Sequence, residues 1–466
     1  MSVRGSAAQS IGNRLGLLRQ VDFRRLWVGE TISQFGSQVS MLAIPYIATV
    51  LLKATAFEVA LLGAIEFLPF LLFTLPAGAW VDRMRRRPIL ISGDLVRLVA
   101  LGTIPFAWGL GELTIWQLYV VAFVTGIATV FFDVAYQSYL PALVSRDSLV
   151  EGNAKLQASE AAAQVVGPGL GGGLISVVGA PFAIIADALS YFASAVFVAL
   201  IRRPEPHPEA DRLAAGLARE PLRRQIAEGL RFVLHNPNLR AIAAATSSSN
   251  LFSNVVYAIM PIYLYRELGL SAATVGVIFG IGSLGALGGA MADNQIAARI
   301  GLGRTIIGSI ALGGPAMLLL PFAPHDSPVV WLVASVAIGS FGSVVYNVNQ
   351  VSFRQAITSP RMQGRMNASM RFIVWGTIPV GQVLGGAIAA LISLPAAIWV
   401  GALGSFVPFL FVIFSPVRSL RVMPAPIEDA EVAPAARSEA ELIGEALDES
   451  AVRAGAPDPL PRHDER

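Results

Sequence analysis

A short charged loop between two apolar stretches carries the residue spacing with the clearest chemical meaning. Its marked residues are Gly78, Asp82, Arg83, Arg86 and Arg87. The flanking stretches, about 58–81 and 88–110, can each cross a hydrocarbon layer about 30 Å thick. An aspartate can accept hydrogen bonds at a helix N-terminus, and arginines can bind carboxylates or helix C-termini. The spacing indicates a charged latch that holds one conformation and is released in another. The alternative is that the arginines only orient a membrane hairpin.

Two acidic residues lie deep inside apolar stretches. Glu66 is in the second stretch and Asp133 is in the fourth. A charged carboxylate at the centre of a membrane helix costs about 2.5–3.5 kcal/mol on insertion scales. Each group is therefore expected to hold a proton part of the time or to have a cationic partner. We expect Asp133 to be the more important proton carrier, because other polar residues share its helix face. Asp94 is expected to pair instead with Arg97, three residues later.

Polar side chains recur at helical spacing in four of the apolar stretches. The members are Gln34, Ser37 and Gln38, then Thr129 and Tyr136, then Asn250, Asn254 and Tyr257, and finally Asn347 and Gln350. Spacing of three, four or seven residues puts each set on one face of a helix. Polar groups at membrane depth face protein or water rather than lipid. The stripes predict a polar cavity, and hydrogen bonds within a closed bundle are the alternative.

The composition predicts an all-α protein with many membrane spans. Hydrophobic residues make up 54% of the 466 residues, and charged residues only 14%, against about 25% in soluble domains. Twelve spans are predicted at about 26–52, 58–81, 88–110, 115–140, 157–179, 181–201, 239–265, 272–296, 303–323, 328–352, 371–394 and 395–415. Arginines fall in alternate loops, so the net charge of +3 reflects topology rather than nucleic-acid binding. Both termini are expected in the cytoplasm, with the spans in the inner membrane.

Two separated motifs repeat at the same interval. The distance along the chain from Asn153 to Asn367 equals that from Gly171 to Gly385, which predicts two six-span halves. The halves are 1–203 and 239–416. Between them, 204–238 is a cytoplasmic linker with a predicted amphipathic helix. The last segment, 417–466, is polar and is predicted to be a disordered cytoplasmic tail.

These motifs resemble those of the major facilitator superfamily over nearly all the spans. The charged loop is similar to the family signature between spans two and three. A second match lies in span five, at Gly167, Pro168, Gly171 and Gly172, where the run is similar to the antiporter motif. Residues 364–371 are similar to drug and siderophore exporters, including macrolide efflux proteins and the enterobactin exporter. Arg85 departs from the usual glycine, and Ala122 stands where many proton-coupled exporters carry arginine.

The glycines of span five can also be explained by helix packing. Small residues allow membrane helices to pack closely, and proline is tolerated where neighbouring groups satisfy the freed carbonyl. Pro168 therefore predicts either a bend in a span that must move or a simple packing groove.

The resemblance implies a secondary transporter that works by alternating access. It favours a proton-coupled exporter of amphipathic small molecules such as drugs or siderophores. An uptake permease for a polar metabolite and a non-transporting receptor or scaffold are the alternatives. We expect no enzyme activity, no metal and no cofactor, with an ion gradient, that of H⁺, as the driving force. The expected partners are the lipid bilayer and a small-molecule substrate, with no nucleic acid, and the protein is expected to be a monomer.

Overall fold

The computed structural model describes residues 16–81, 84–145, 148–205 and 222–424. Asp82 and Arg83 of the predicted latch lie outside these residues, as do residues 206–221 of the linker and the tail beyond residue 424. The described chain is helical, with no strand among its elements. The first half contains α1 (Val21–Tyr46), α2 (Ala56–Val81), α3 (Arg86–Leu110), α4 (Ile115–Leu143), α5 (Leu149–Val178) and α6 (Ala180–Ala199).

The second half repeats the order of six helical passes, several of them interrupted. They are α7 (Pro237–Tyr257), α8 (Ala272–Gly282 and Leu284–Ile300), α9 (Leu302–Ala311 and Gly313–Leu318), α10 (Pro328–Ala356), α11 (Pro360–Trp375 and Thr377–Leu391) and α12 (Leu394–Gly404 and Pro408–Ile413). A linker helix, Leu222–His235, precedes α7 and lies within the predicted linker. Its residue Gly229 packs closely on the backbone of Arg365 in α11.

Nine segments of the described chain are long and apolar enough to cross a membrane. They correspond to predicted spans two to six, eight, and ten to twelve, so the all-α membrane fold is confirmed. Three predicted spans, at α1, α7 and α9, form helices that do not meet this measure. Leu302–Leu318 is a shorter apolar helix, and the polar stripes of α1 and α7 lower their hydropathy. The membrane assignment of these three helices stays a prediction.

Several helices extend beyond the predicted spans. α5 begins at Leu149 rather than near 157, and α11 begins at Pro360 rather than near 371. α10 continues to Ala356, beyond its predicted end near 352. Hydropathy marks the part of a helix that lies in hydrocarbon. Backbone hydrogen bonds continue into polar sequence, so a helix can extend past that boundary.

The two halves meet along two helix pairs, α5 with α8 and α2 with α11. Glycines allow close backbone approach in both pairs. A Cβ added at Gly172 in α5 would lie 2.3 Å from the carbonyl oxygen of Ala272, and one at Gly386 in α11 would lie 2.4 Å from the Cβ of Ala60. Gly172 and Gly386 are as far apart along the chain as Gly171 and Gly385 of the sequence repeat. They therefore occupy equivalent places in the two halves. Small residues at membrane interfaces favour such contacts, because van der Waals packing drives helix association there.

The buried apolar residues form different clusters at the two ends of the bundle. We call the end with the α2–α3 loop, Arg203 and Arg304 the arginine-rich end, and the end with Lys53 and Gly269 the arginine-poor end. At the arginine-poor end one apolar cluster joins both halves and includes Ile47, Ile104, Ile259 and Leu264. At the arginine-rich end each half has its own cluster, around Phe23 and Leu90 in the first and around Ile242 and Phe353 in the second. The halves are thus joined at one end and separate at the other.

The α5–α8 contact predicts opposite effects for two adjacent glycines. Gly172→Ala should destabilise the protein by about 1–3 kcal/mol, because the added methyl group collides with backbone. Gly173→Ala meets no atom within 4 Å, so it should leave stability unchanged or raise it slightly through helix propensity. Thermal unfolding of both purified variants in one detergent measures the difference. Equal melting temperatures for the two would contradict close packing at Gly172.

Candidate functional site

A cavity of about 1890 Å³ lies between the two halves. It extends from Met260 and Tyr265, near the arginine-poor end, to Gly364 and Arg365, near the arginine-rich end. Pockets for drug-sized ligands typically measure about 300–1,000 Å³. This cavity therefore has room for a large ligand or for several binding positions.

The arginine-poor end of the cavity is closed by contacts between α1 and the segment after α7. The rings of Tyr46 and Tyr265 meet edge to face, with centroids 5.0 Å apart. Arg266 Nε donates to the carbonyl oxygen of Thr49 over 2.9 Å, and its Nη2 donates to the same atom. The Arg266 guanidinium therefore links the two halves at this end of the cavity.

The closing segments are both π-helical turns, which the sequence analysis did not predict. They are Ile47–Leu51 and Tyr263–Glu267, and each is followed by a residue with positive φ, Lys53 at 52° and Gly269 at 61°. The two turns are separated by the same interval as the two residues of positive φ, so they occupy equivalent places in the halves. A sequence signal existed, since Leu52, Thr55 and Ala56 recur as Leu268, Ser271 and Ala272 at this interval. Single π-turns are uncommon and are often found at functional sites.

Only the second-half residues of the predicted polar stripes line the cavity. The second-half members line the cavity, namely Asn250, Asn254, Tyr257, Asn347 and Gln350. The first-half members are absent from its lining, namely Gln34, Ser37, Gln38, Thr129 and Tyr136. From the first half the cavity is lined instead by Met41, Leu42, Pro45, Thr74, Gly78 and Gln137.

The first-half stripe residues contact other protein groups. Gln34 Nε2 donates to Glu30 Oε1 over 2.7 Å, and the hydroxyl oxygens of Ser37 and Tyr191 are 2.8 Å apart. Thr129 Oγ1 donates to the carbonyl oxygen of Thr125 over 2.9 Å. For these residues the structure has the arrangement that the sequence analysis gave as the alternative, hydrogen bonding inside the bundle.

The remaining two members of that set pack against helices and rings. Gln38 lies directly against Gly167 of α5, and Tyr136 stacks on Phe132 with ring centroids 6.0 Å apart. α5 itself is one continuous helix through Pro168, and Gly171 lies on the backbone of Gln38. The span-five motif is thus placed at contacts of α5 with α1 and α8.

The first half contains a buried ion pair, as predicted for Asp94 and Arg97. Arg97 Nη2 lies 2.7 Å from Asp94 Oδ1, with side-chain exposures of 6% and 0%. The guanidinium carbon lies 4.3 Å from the ring centroid of Phe132 and 4.2 Å from that of Tyr191. Two aromatic faces and one carboxylate therefore compensate a charge that has left water.

More carboxyl groups surround this pair than it can neutralise. Arg97 interacts electrostatically with Glu30 and Asp133 as well as Asp94, and it also acts on Asp187. We call these four carboxyl groups and Arg97 the acidic cluster. One guanidinium cannot neutralise four carboxylates in a medium of low dielectric constant. Charging all four carboxyl groups at once is therefore unfavourable in this setting.

Asp133 is the member of the acidic cluster on which a charge of the second half acts. The charges that act on it are Arg97 of α3, Arg371 of α11 and Glu160 of α5. Glu66 of α2 lies apart from the cluster and outside the cavity lining. Among the described residues no hydrogen bond or ion pair to its carboxyl group is found. The two acids singled out from the sequence therefore have different surroundings.

The described arginines of the signature loop contact their own half. The Arg86 and Arg87 backbone N–H groups donate to Glu205 Oε1 and Oε2 over 2.7 and 3.1 Å. Arg87 Nε donates to the carbonyl oxygen of Val198 over 3.2 Å, and its Nη2 bonds that of Ala199. The arginine thus caps the C-terminal end of α6. In this conformation neither Arg86 nor Arg87 contacts the second half among the described interactions.

A family model described as Major Facilitator Superfamily matches residues 26–375 and, in a second match, residues 242–450. The chain belongs to the Major Facilitator Superfamily. It is a multi-pass membrane transporter, and the family and its relatives point to transport rather than enzyme chemistry.

Curated relatives at low identity are drug exporters. The chain is 25% identical to the multidrug efflux pump Tap of Mycolicibacterium fortuitum over 380 residues, which cover 78% of this chain and 87% of that protein. It is 23% identical to macrolide efflux protein A of Streptococcus pyogenes over 375 residues, covering 79% and 90% of the two chains. These similarities support membership of a drug-exporter branch.

Solved structures share the fold. A bacterial homologue of the iron transporter ferroportin, crystallised in an inward-facing state, gives a TM-score of 0.65 at 17% identity, covering 85% of this chain and 98% of that one. The nucleoside transporter NupG gives 0.63 at 12% identity, with 84% and 99% covered. At these identities the likeness concerns the fold alone.

The acidic cluster predicts a large cost for removing its arginine. Arg97→Gln should lower the free energy of unfolding by about 3–5 kcal/mol, because it leaves buried carboxyl groups without their cation. Asp94→Asn combined with Arg97→Gln should cost less than the sum of the two single changes. Denaturant titration of the three variants in one detergent measures the coupling. Arg299→Gln, at an exposed residue, is the control, and additive effects would show that the ion pair does not couple the two residues.

Proposed function

We propose that the protein exports amphipathic small molecules, of the drug or siderophore class, by alternating access coupled to proton movement. The observation that carries the proposal is the cavity between two half-bundles that is closed at the arginine-poor end. The substrate would enter from the arginine-rich end. Positive-inside topology makes that end cytoplasmic, with both termini inside and the spans in the inner membrane. The cavity lies within one chain, so a monomer suffices.

The lining of the cavity favours an amphipathic substrate over a purely polar one. Apolar side chains from both halves, including Met41, Met260 and Phe279, face the same space as the amides of Asn250 and Asn347. Flexible methionines adapt to ligands of different shape. A permease for one polar metabolite would be expected to have a smaller site with fixed polar contacts.

Rocking of the halves would exchange access between the two ends. The α5–α8 and α2–α11 contacts remain as the axis, while the contacts of Tyr46 and Arg266 with the opposite half break. Closure of the arginine-rich end would bring the signature loop towards α11. We propose that Asp82 and the arginines form their latch with the second half in that closed conformation.

Proton coupling is proposed for the acidic cluster, with Asp133 as the carrier. Its surrounding charges are Glu30 on α1, Arg97 on α3, Glu160 on α5 and Arg371 on α11. Arg371 belongs to the other half, so its distance from Asp133 changes when the halves rock. The stability of a charged Asp133 would then depend on the conformation, which is the requirement for coupling.

Export is tested by measuring drug accumulation in a bacterium that lacks its major efflux systems. Expression of the chain should lower steady-state accumulation of a macrolide or another amphipathic compound from a panel, and collapse of the proton gradient should restore it. A Gly172→Leu chain, which disturbs the α5–α8 contact, is the inactive control. Raised accumulation on expression would instead indicate uptake. Unchanged accumulation across the panel, at verified membrane expression, would contradict drug export.

The proton-coupling proposal predicts different transport defects for substitutions of Asp133 and Glu66. In proteoliposomes Asp133→Asn should abolish accumulation against a gradient, because the carrier can no longer exchange a proton. It should spare downhill exchange, because the cavity is unchanged. Glu66→Gln should retain most uphill transport, since Glu66 lies outside the acidic cluster. The test is transport with and without an imposed pH gradient. Uphill transport by both variants would rule out Asp133 as the carrier.

A further inference from the structure

The charged residues that line the cavity are all of one sign. Among the described lining residues there are three arginines, Arg354, Arg365 and Arg371, and no aspartate or glutamate. All three come from the second half and lie on α10 or α11 towards the arginine-rich end. The acidic cluster of the first half lies outside the lining, as does Asp293, a buried acid of α8. A ligand in the cavity therefore meets positively charged groups of the second half.

The three arginines differ in how far their charge is already balanced. Arg365 forms an ion pair with Glu228 of the linker helix. Arg371 lies 5.1 Å from the ring centroid of Trp375 and is within the field of Asp133. Arg354 has no ion pair among the described residues, and the group that acts on it electrostatically is the hydroxyl of Tyr346.

Arg354 also has an unsatisfied donor. Its Nε is buried without a hydrogen-bond partner, and the same holds for Oε1 of Gln350, one helical turn earlier on α10. Gln350 is only 3% exposed, and both residues line the cavity. Buried polar groups are normally hydrogen-bonded. A positive-inside arginine needs only to lie in a loop, as exposed Arg299 does, so topology does not account for the buried Nε of Arg354.

From these observations we propose that the cavity selects amphipathic molecules that carry an anionic group, such as a carboxylate, sulfonate or phosphate. The anionic group binds Arg354, with Arg371 contributing from α11, and the apolar body lies deeper in the cavity. Leu332 and Arg354 both line the cavity from α10, and their spacing corresponds to about 33 Å along a helix. That length accommodates an extended ligand with its charge at one end. This inference rests on the proposed transport function and specifies its substrate class.

A matched set of three probes tests the charge preference. Dansyl-glycine is anionic, its methyl ester is neutral and dansyl-ethylenediamine is cationic, while the fluorescent body is the same. Binding to the purified full-length chain in phosphatidylcholine nanodiscs is followed by dansyl fluorescence. The anionic probe should bind at least about tenfold more tightly than the cationic one, as a charged hydrogen bond to a guanidinium predicts.

Substitutions of single arginines test which side chain causes the preference for the anionic probe. Arg354→Gln should weaken dansyl-glycine binding about tenfold and leave the ester nearly unchanged, since only the anion loses a charged partner. Arg354→Lys should restore part of the preference, and Arg299→Gln, outside the cavity, should have no effect. Added phosphatidylglycerol separates two sources of the anion. Competition with dansyl-glycine would assign the position to a lipid headgroup, and no competition would assign it to a soluble amphipath; both agree with anion binding.

Several results would overturn the inference. They are equal binding of the three probes, a preference for the amine, no binding of any probe, or an anion preference that survives Arg354→Gln. None of these would contradict export itself, because the accumulation assay tests export with a panel that includes cationic and neutral compounds. Loss of export with retained anion selectivity would contradict the proposed function and leave the charge selectivity of the cavity in place.

Discussion

The close backbone contact between the halves is the constraint on which the rest of the structure depends. In lipid there is little hydrophobic force between helices, so association relies on packing and on satisfied polar groups. Gly172 against Ala272 and Gly386 against Ala60 provide that packing at equivalent places. Neither contact needs an interlocking side chain. Two smooth contacts can act as an axis for rocking, whereas the aromatic and guanidinium contacts at Tyr46 and Arg266 act as a closure.

The distribution of charge follows from the same low dielectric. A buried carboxylate requires a proton or a cation nearby, and the first half concentrates four of them around Arg97. The second half places three arginines, Arg354, Arg365 and Arg371, on the cavity instead. The proposed proton site and the proposed anion position at Arg354 belong to different halves, so communication between them would depend on relative movement of the halves. Asp133 and Arg371 are the charged pair that such movement would affect most directly.

Hydropathy and repeat spacing were sufficient to predict the helical membrane fold, because long apolar segments have few alternatives in lipid. The Asp94–Arg97 pair was also predictable, since its partners lie one turn apart on a helix. For the cavity, the sequence predicted the polar lining from the second half but not the lining from the first half. Helical spacing shows that Gln34 and Asn250 each lie on a polar face, but it cannot show what that face meets. That depends on helix rotation within each half, which is determined by contacts distant in sequence, such as Ser37 with Tyr191.

The two halves therefore share a scaffold but not a chemistry. Interface glycines, π-turns and the residues that follow them recur in the second half at nearly constant intervals, and all of these shape the backbone. The functional side chains do not recur in the same way, since the first-half polar stripe lies inside its bundle while that of the second half lines the cavity. Backbone equivalence is needed for two half-bundles to rock about a common axis. Side-chain equivalence is not needed, and its absence confines the acidic cluster to one half and the arginines of the cavity lining to the other.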